Sequence, residues 1–169
     1  RQHYAPKEMI VCVAGGVRHT EVFRIIEKKF GSLDTIDTPK PIKAEFGGGE
    51  YRKEKDLEQA HFAFALEAPK LTDPKLYDAR VFTSILGGGM SSRLFQQLRE
   101  KRGLCYSIFS FIETLSDTGS IMIYSGTGRD QVGELSNVVA EELKKLTSDV
   151  MDNEVKRAKA QMKAGMLMA

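Results

Sequence analysis

The sequence predicts an α+β fold, a largely antiparallel or mixed sheet with helices packed on one face. Three observations carry that reading. The expected elements run β-α-β-β-α-α-β-β-α-α, so strands adjoin strands and helices come in blocks. Two strand-like runs, 104–113 and 118–126, flank the turn residues Asp117 to Gly119 and read as an antiparallel hairpin. The alternating β-α-β rhythm of a doubly wound sheet is absent.

Each element has its own signal. "EMIVCVAGG" (8–16) is a short apolar run closed by glycines and reads as a buried strand. The helix after it places Val22, Ile26 and Phe30 on one face and stops at Gly31. Residues 32–48 hold Pro39, Pro41 and Gly47 to Gly49 and read as a surface loop. "GEYRKEKDL" (49–57) suits a charged edge strand. In 59–69, Phe62, Phe64 and Leu66 alternate with His61, Ala63 and Ala65, as on the two faces of a strand. Asp73 and Pro74 read as an N-cap and first helical residue, with Tyr77, Val81 and Ile85 on the apolar face. After Gly87 to Gly89, Ser91 or Ser92 caps a short helix carrying Leu94, Phe95 and Leu98, which Gly103 ends. A helix from Asp130 carries Val132, Leu135, Val139, Leu143 and Leu146, and a last one begins near 149–153.

The 169 residues allow one domain with a real core. The 41% hydrophobic content with mixed charge fits a soluble globular protein, and no compartment is indicated. A net charge of +2 gives no case for nucleic acid or an anionic membrane surface. No apolar run approaches the roughly 20 residues that span a bilayer. Cys12 and Cys105 both lie in apolar runs and read as two buried thiols. The chain opens at Arg1, and its last helical pattern reaches Ala169 without a stop signal, so a longer parent polypeptide is expected.

Most chemical motifs are missing. The glycine run follows a helix and lacks the lysine of a phosphate loop. It reads as a helix–helix turn, with close approach to a partner or substrate left open. His3, His19 and His61 are far apart and in no zinc motif, so no metal site is expected. Glu141 and Glu142, beside Lys144 and Lys145, read as a solvated helix face. Arg99 and Tyr106 lie seven residues apart across the Gly103 break, close enough to reach one rim of the sheet. Both are donors suited to a carbonyl or a carboxylate. The residues alone leave the plainer alternative open, a surface ion pair for Arg99 and packing for Tyr106.

"GGGMSSRLFQQLREKRGLCYSIFSF" (87–111) resembles the signature G-G-x-x-S-R-L-x-x-x-L-R-E-x-x-G-L-x-Y of the pitrilysin-like zinc metallopeptidases, family M16, in its mitochondrial processing peptidase-like branch. The match is carried by Gly88, Gly89, Ser92, Arg93, Leu94, Leu98, Arg99, Glu100, Gly103, Leu104 and Tyr106. Residues 4–33 are similar to the strand–helix unit that opens the second domain of each half in this family.

The resemblance implies a LuxS/MPP-like metallohydrolase fold. It also implies that residues 1–169 are a single C-terminal, non-zinc domain with its last helix truncated. Zinc would belong to an upstream domain of the parent protein, since no H-x-x-E-H is present here. No catalytic residue is then expected in this chain. By motif match Arg99 and Tyr106 would bind peptide substrate across a chamber from the zinc-bearing domain or subunit. Two alternatives stand beside that expectation. One is a non-catalytic scaffold subunit of such a complex; the other is an interaction domain that takes a peptide at a sheet edge.

Overall fold

The computed structural model describes residues 4–168. It divides into two compact units, one ending at Lys43 and the other beginning at Ala44. In the first, a single 3-10 turn at Pro6–Glu8 precedes helix α1, His19–Phe30. Val22 and Ile26 are half-buried on α1, as their spacing predicts, whereas Phe30 is exposed. The helix stops at Gly31, whose N–H bonds the Glu27 carbonyl at 2.8 Å.

The strand expected at 8–16 does not form, and Ile10 is 89% exposed. A strand satisfies its N–H and C=O groups only through a neighbouring strand. Among the described residues this unit contains no other strand. Cys12 therefore stands exposed, against the buried thiol expected from its apolar run, while Cys105 is buried as expected.

The second unit is built on a three-stranded antiparallel sheet. Strands β1 (Ala60–Glu67), β2 (Cys105–Thr114) and β3 (Gly119–Thr127) lie in the order β1-β3-β2. The β2–β3 hairpin forms as the alternation predicts, closed by the Leu115 N–H on the Thr118 carbonyl at 2.8 Å. Helix α2 (Leu76–Gly87), a π-helical turn at Phe95–Glu100, helix α3 (Val132–Lys145) and helix α4 (Asp152–Met168) complete the unit.

Period-two alternation decides which sheet face is dry. Ile108 on β2 and Ile121 and Ile123 on β3 are buried. Ile108 and Ile123 share one core with Ile85, Leu86, Leu94, Leu98, Leu135, Val138 and Val139 of the helical segments. The opposite face carries Ala63, Tyr124, Met122, Phe109 and Phe111.

Several expected details differ. The charged run 49–57 is not a strand. Its carbonyls at Lys55 and Leu57 accept from Arg129 Nη2 at 3.2 Å, a side-chain donor in place of a strand backbone. Helix α2 begins at Leu76, not at Pro74, because Asp73 Oδ1 accepts the Lys75 N–H (2.8 Å) in a turn ahead of it. Tyr77 points to solvent, and the buried face of α2 is Leu76, Thr83, Ile85, Leu86 and Gly87. Ser92 does not cap the segment it precedes; its hydroxyl donates back to the Gly89 carbonyl at 2.6 Å. Glu142 is buried rather than solvated, and Lys145 Nζ bonds it at 2.7 Å.

Candidate functional site

The stretch from Gly87 to Tyr106 holds several backbone irregularities between helix α2 and strand β2. Gly87 ends α2 directly against β2. A Cβ at Gly87 would lie 2.6 Å from the Ser110 backbone nitrogen and 2.7 Å from its Oγ. Ser110 Oγ in turn donates to the Thr83 carbonyl at 2.8 Å. The absent side chain lets helix and strand approach and bond, while Gly89, at φ +149°, makes the turn. The glycine run thus serves packing and chain reversal.

Two irregularities follow, and each holds one of the two residues singled out in the sequence. In the π-helical turn, the Lys101 N–H reaches back five residues to the Gln96 carbonyl at 3.0 Å. Such widened turns are frequent at functional sites. This one carries Arg99. Gly103, at φ +61°, then turns the chain into β2. Cys105 pairs with Thr127 and Ser107 with the adjacent Gly126, so Tyr106 is the extra residue of a β-bulge. A bulge leaves its residue out of the ladder and re-aims its side chain. Tyr106 is 77% exposed, although both neighbours in sequence belong to the sheet.

The two side chains meet. The Arg99 guanidinium carbon lies 4.9 Å from the centre of the Tyr106 ring and 4.8 Å from that of Phe95. These distances suit attraction between a cation and an aromatic face. Among the described residues Arg99 has neither an ion-pair partner nor a hydrogen-bond acceptor, so the surface ion pair left open from sequence is not its arrangement. Its five N–H donors and the Tyr106 hydroxyl form a donor cluster at the start of β2.

Next to this pair, Cys105 is buried. Burial pushes its thiol up, against the lowering effects of a hydrogen bond with Ser125 and the charge of Arg99. A protonated, buried thiol is a poor nucleophile. His61, on edge strand β1, has Nδ1 2.7 Å from the Tyr124 hydroxyl on the exposed sheet face. Among the described residues no three His, Cys, Asp or Glu side chains group so as to hold a metal ion. His3 lies outside the described residues.

Sequence reasoning passed over Arg93, although it stands in the same motif. Its Nε and Nη2 donate to the two oxygens of Glu154 at 2.8 and 2.7 Å, and its Nη1 donates to Asp149 Oδ1 at 2.6 Å. Arg93 and Glu154 side chains are only 11% and 6% exposed. The Arg93 hydrogen bonds hold the Glu154 carboxyl below its usual range, against the opposing effect of burial. Arg93 in turn is held more firmly protonated than usual by Glu154. The pair ties the motif helix to α4 across 61 residues of sequence.

The family model of the peptidase M16 inactive domain matches residues 1–162. The chain belongs to this family. It is 37% identical to an uncharacterized zinc protease of Rickettsia felis and 34% identical to the uncharacterized zinc protease YmxG of Bacillus subtilis. Each alignment covers 99% of this chain but 41% of the relative, so the chain spans less than half the length of these proteins. Its fold is shared with a chain in complex III2 from Candida albicans, with a TM-score of 0.72 at 23% identity over 90% of this chain and 39% of that one. The M16 inactive domain therefore supplies the framework, an α+β unit with an antiparallel sheet, on which Arg99 and Tyr106 are set. No helix among the described residues is long and apolar enough to cross a membrane.

Proposed function

We propose that this M16 inactive domain is the substrate-facing, non-zinc domain of a zinc-dependent metalloendopeptidase, with Arg99 and Tyr106 binding the peptide. Residues 1–169 would form one domain, C-terminal in the longer protein, facing a zinc-bearing domain or subunit across a closed chamber. The observation that carries this reading is the pairing of Arg99 and Tyr106 at two backbone irregularities, with the guanidinium free of acceptors among the described residues. A peptide in extended form presents carbonyl oxygens that need donors once water is excluded. Arginine offers a fixed fork and tyrosine a single O–H, enough to hold a backbone carbonyl or a carboxylate in one orientation. Zinc bound elsewhere in the full-length protein would polarise the scissile carbonyl and activate water. This chain's residues orient the peptide for that chemistry and take no covalent part in it.

The test is made in the full-length protein with an internally quenched peptide. Arg99→Ala and Tyr106→Phe are expected to lower cleavage while bound zinc stays at the wild-type level. Wild-type turnover in both variants would remove the proposed role. A second reading, a non-catalytic subunit of a larger assembly, draws on the fold shared with a chain of complex III2. It predicts no cleavage by the purified full-length protein alone and recovery of cleavage when a zinc-bearing partner is added.

A further inference from the structure

The Arg99 guanidinium rests against two rings, and only Tyr106 belongs to the proposed site. We infer that Phe95 is a positioning residue that holds Arg99 in its substrate-binding orientation. This inference rests on the proposed role of Arg99. Three observations support it. Phe95 and Arg99 are four residues apart within one π-helical turn of six residues, Phe95–Glu100. An α-helix places such a pair one turn apart on the same face. Within this π-helical turn the four-residue offset sets the Arg99 guanidinium carbon 4.8 Å from the centre of the Phe95 ring. Phe95 is also anchored, being half-buried and packed against the core of Leu94, Leu98 and Leu135, so its ring is a fixed surface. Finally, the guanidinium has no acceptor among the described residues, so its orientation is set by the rings rather than by an ion pair. Arginine has many side-chain rotamers, and a ligand site gains from having part of that freedom lost before the ligand arrives.

Because Phe95 also contributes to packing, the test must separate orientation from stability. In the full-length protein, the dissociation constant of a fluorescein-labelled β-casein peptide is measured by anisotropy for wild type, Phe95→Leu, Phe95→Tyr, Arg99→Ala and the Phe95→Leu/Arg99→Ala double variant. Phe95→Leu keeps apolar volume and loses the ring face; Phe95→Met replaces it if the leucine variant does not fold. The expected result is about fivefold weaker binding for Phe95→Leu. Phe95→Tyr should bind like wild type. The second substitution should have no further effect once Arg99 is gone, the signature of two side chains acting as one unit. Wild-type affinity in Phe95→Leu, or the same fivefold loss in the Arg99→Ala background, would overturn the inference while leaving the role of Arg99 in place. Wild-type affinity in Arg99→Ala would instead overturn both the role of Arg99 and this inference.

Discussion

Arg93 and Arg99 lie six residues apart in one motif and have opposite surroundings. Arg93 is nearly buried, and its donors go to Glu154, Asp149 and the Asp149 carbonyl. Arg99 rests on two aromatic rings, and its guanidinium makes no hydrogen bond among the described residues. The contrast separates two uses of one side chain. A guanidinium that makes four hydrogen bonds within the protein fixes a framework, and one set against aromatic rings keeps its N–H donors for other acceptors. Substitutions should divide the same way, with stability following Arg93 and binding following Arg99.

The comparison is broken most severely at Arg93. Arg93→Ala leaves the Glu154 carboxylate buried without its partner, which costs about 3–5 kcal/mol. The melting temperature of the full-length protein should fall by on the order of 10 °C. A shift of only a degree or two would show that the bidentate pair adds little. The pair also has a pH signature. The Glu154 carboxyl is held below its ordinary range in the folded state. Its contribution is therefore complete above the unfolded value of about 4.3 and is lost as pH falls through the lower folded value. Urea midpoints of wild type and Glu154→Gln should differ clearly at pH 7 and converge toward pH 3. A constant difference across that range would contradict the assignment.

A smaller loss is expected at Gly87. Gly87→Ala would bring a methyl within 2.6 Å of the Ser110 nitrogen, which forces α2 away from β2. Overpacking of this kind costs about 1–3 kcal/mol. An unchanged urea midpoint would mean that the two elements separate freely. The smallest stability effect belongs to Arg99. Arg99→Ala should change unfolding free energy by no more than about 1 kcal/mol, as for other partly exposed cation–ring contacts.

What could be read from sequence follows the range of the forces involved. The β2–β3 hairpin, α1, α3 and α4 depend on local alternation or periodicity, and they form close to where Ile121, Ile123, Leu135 and Val139 place them. The runs 8–16 and 49–57 have strand composition but no strand partner, which composition cannot supply. That Arg99 and Tyr106 reach one another across Gly103 could be expected from their spacing, and their side chains do meet, whereas a substrate role was implied only by the motif resemblance. The bulge that expels Tyr106 from the ladder could not be expected, because it depends on the register against Gly126 and Thr127. Arg93 and Glu154 escaped notice for a related reason, as their contact joins segments 61 residues apart. Glu142 misled because its neighbours Glu141, Lys144 and Lys145 read as a solvated face, and only the packing of α3 buries it.

The central claim is that Arg99 and Tyr106 serve substrate rather than structure. Its most direct test is kcat/KM of full-length Arg99→Ala on a quenched peptide, measured with zinc content and melting temperature on the same preparation. Losing a charged hydrogen bond to the peptide, worth about 1.5–3 kcal/mol, should reduce kcat/KM by roughly 10- to 150-fold. Zinc content and melting temperature should stay at wild-type values. Wild-type kcat/KM, or a loss accompanied by equal loss of zinc or of folded protein, would contradict the account.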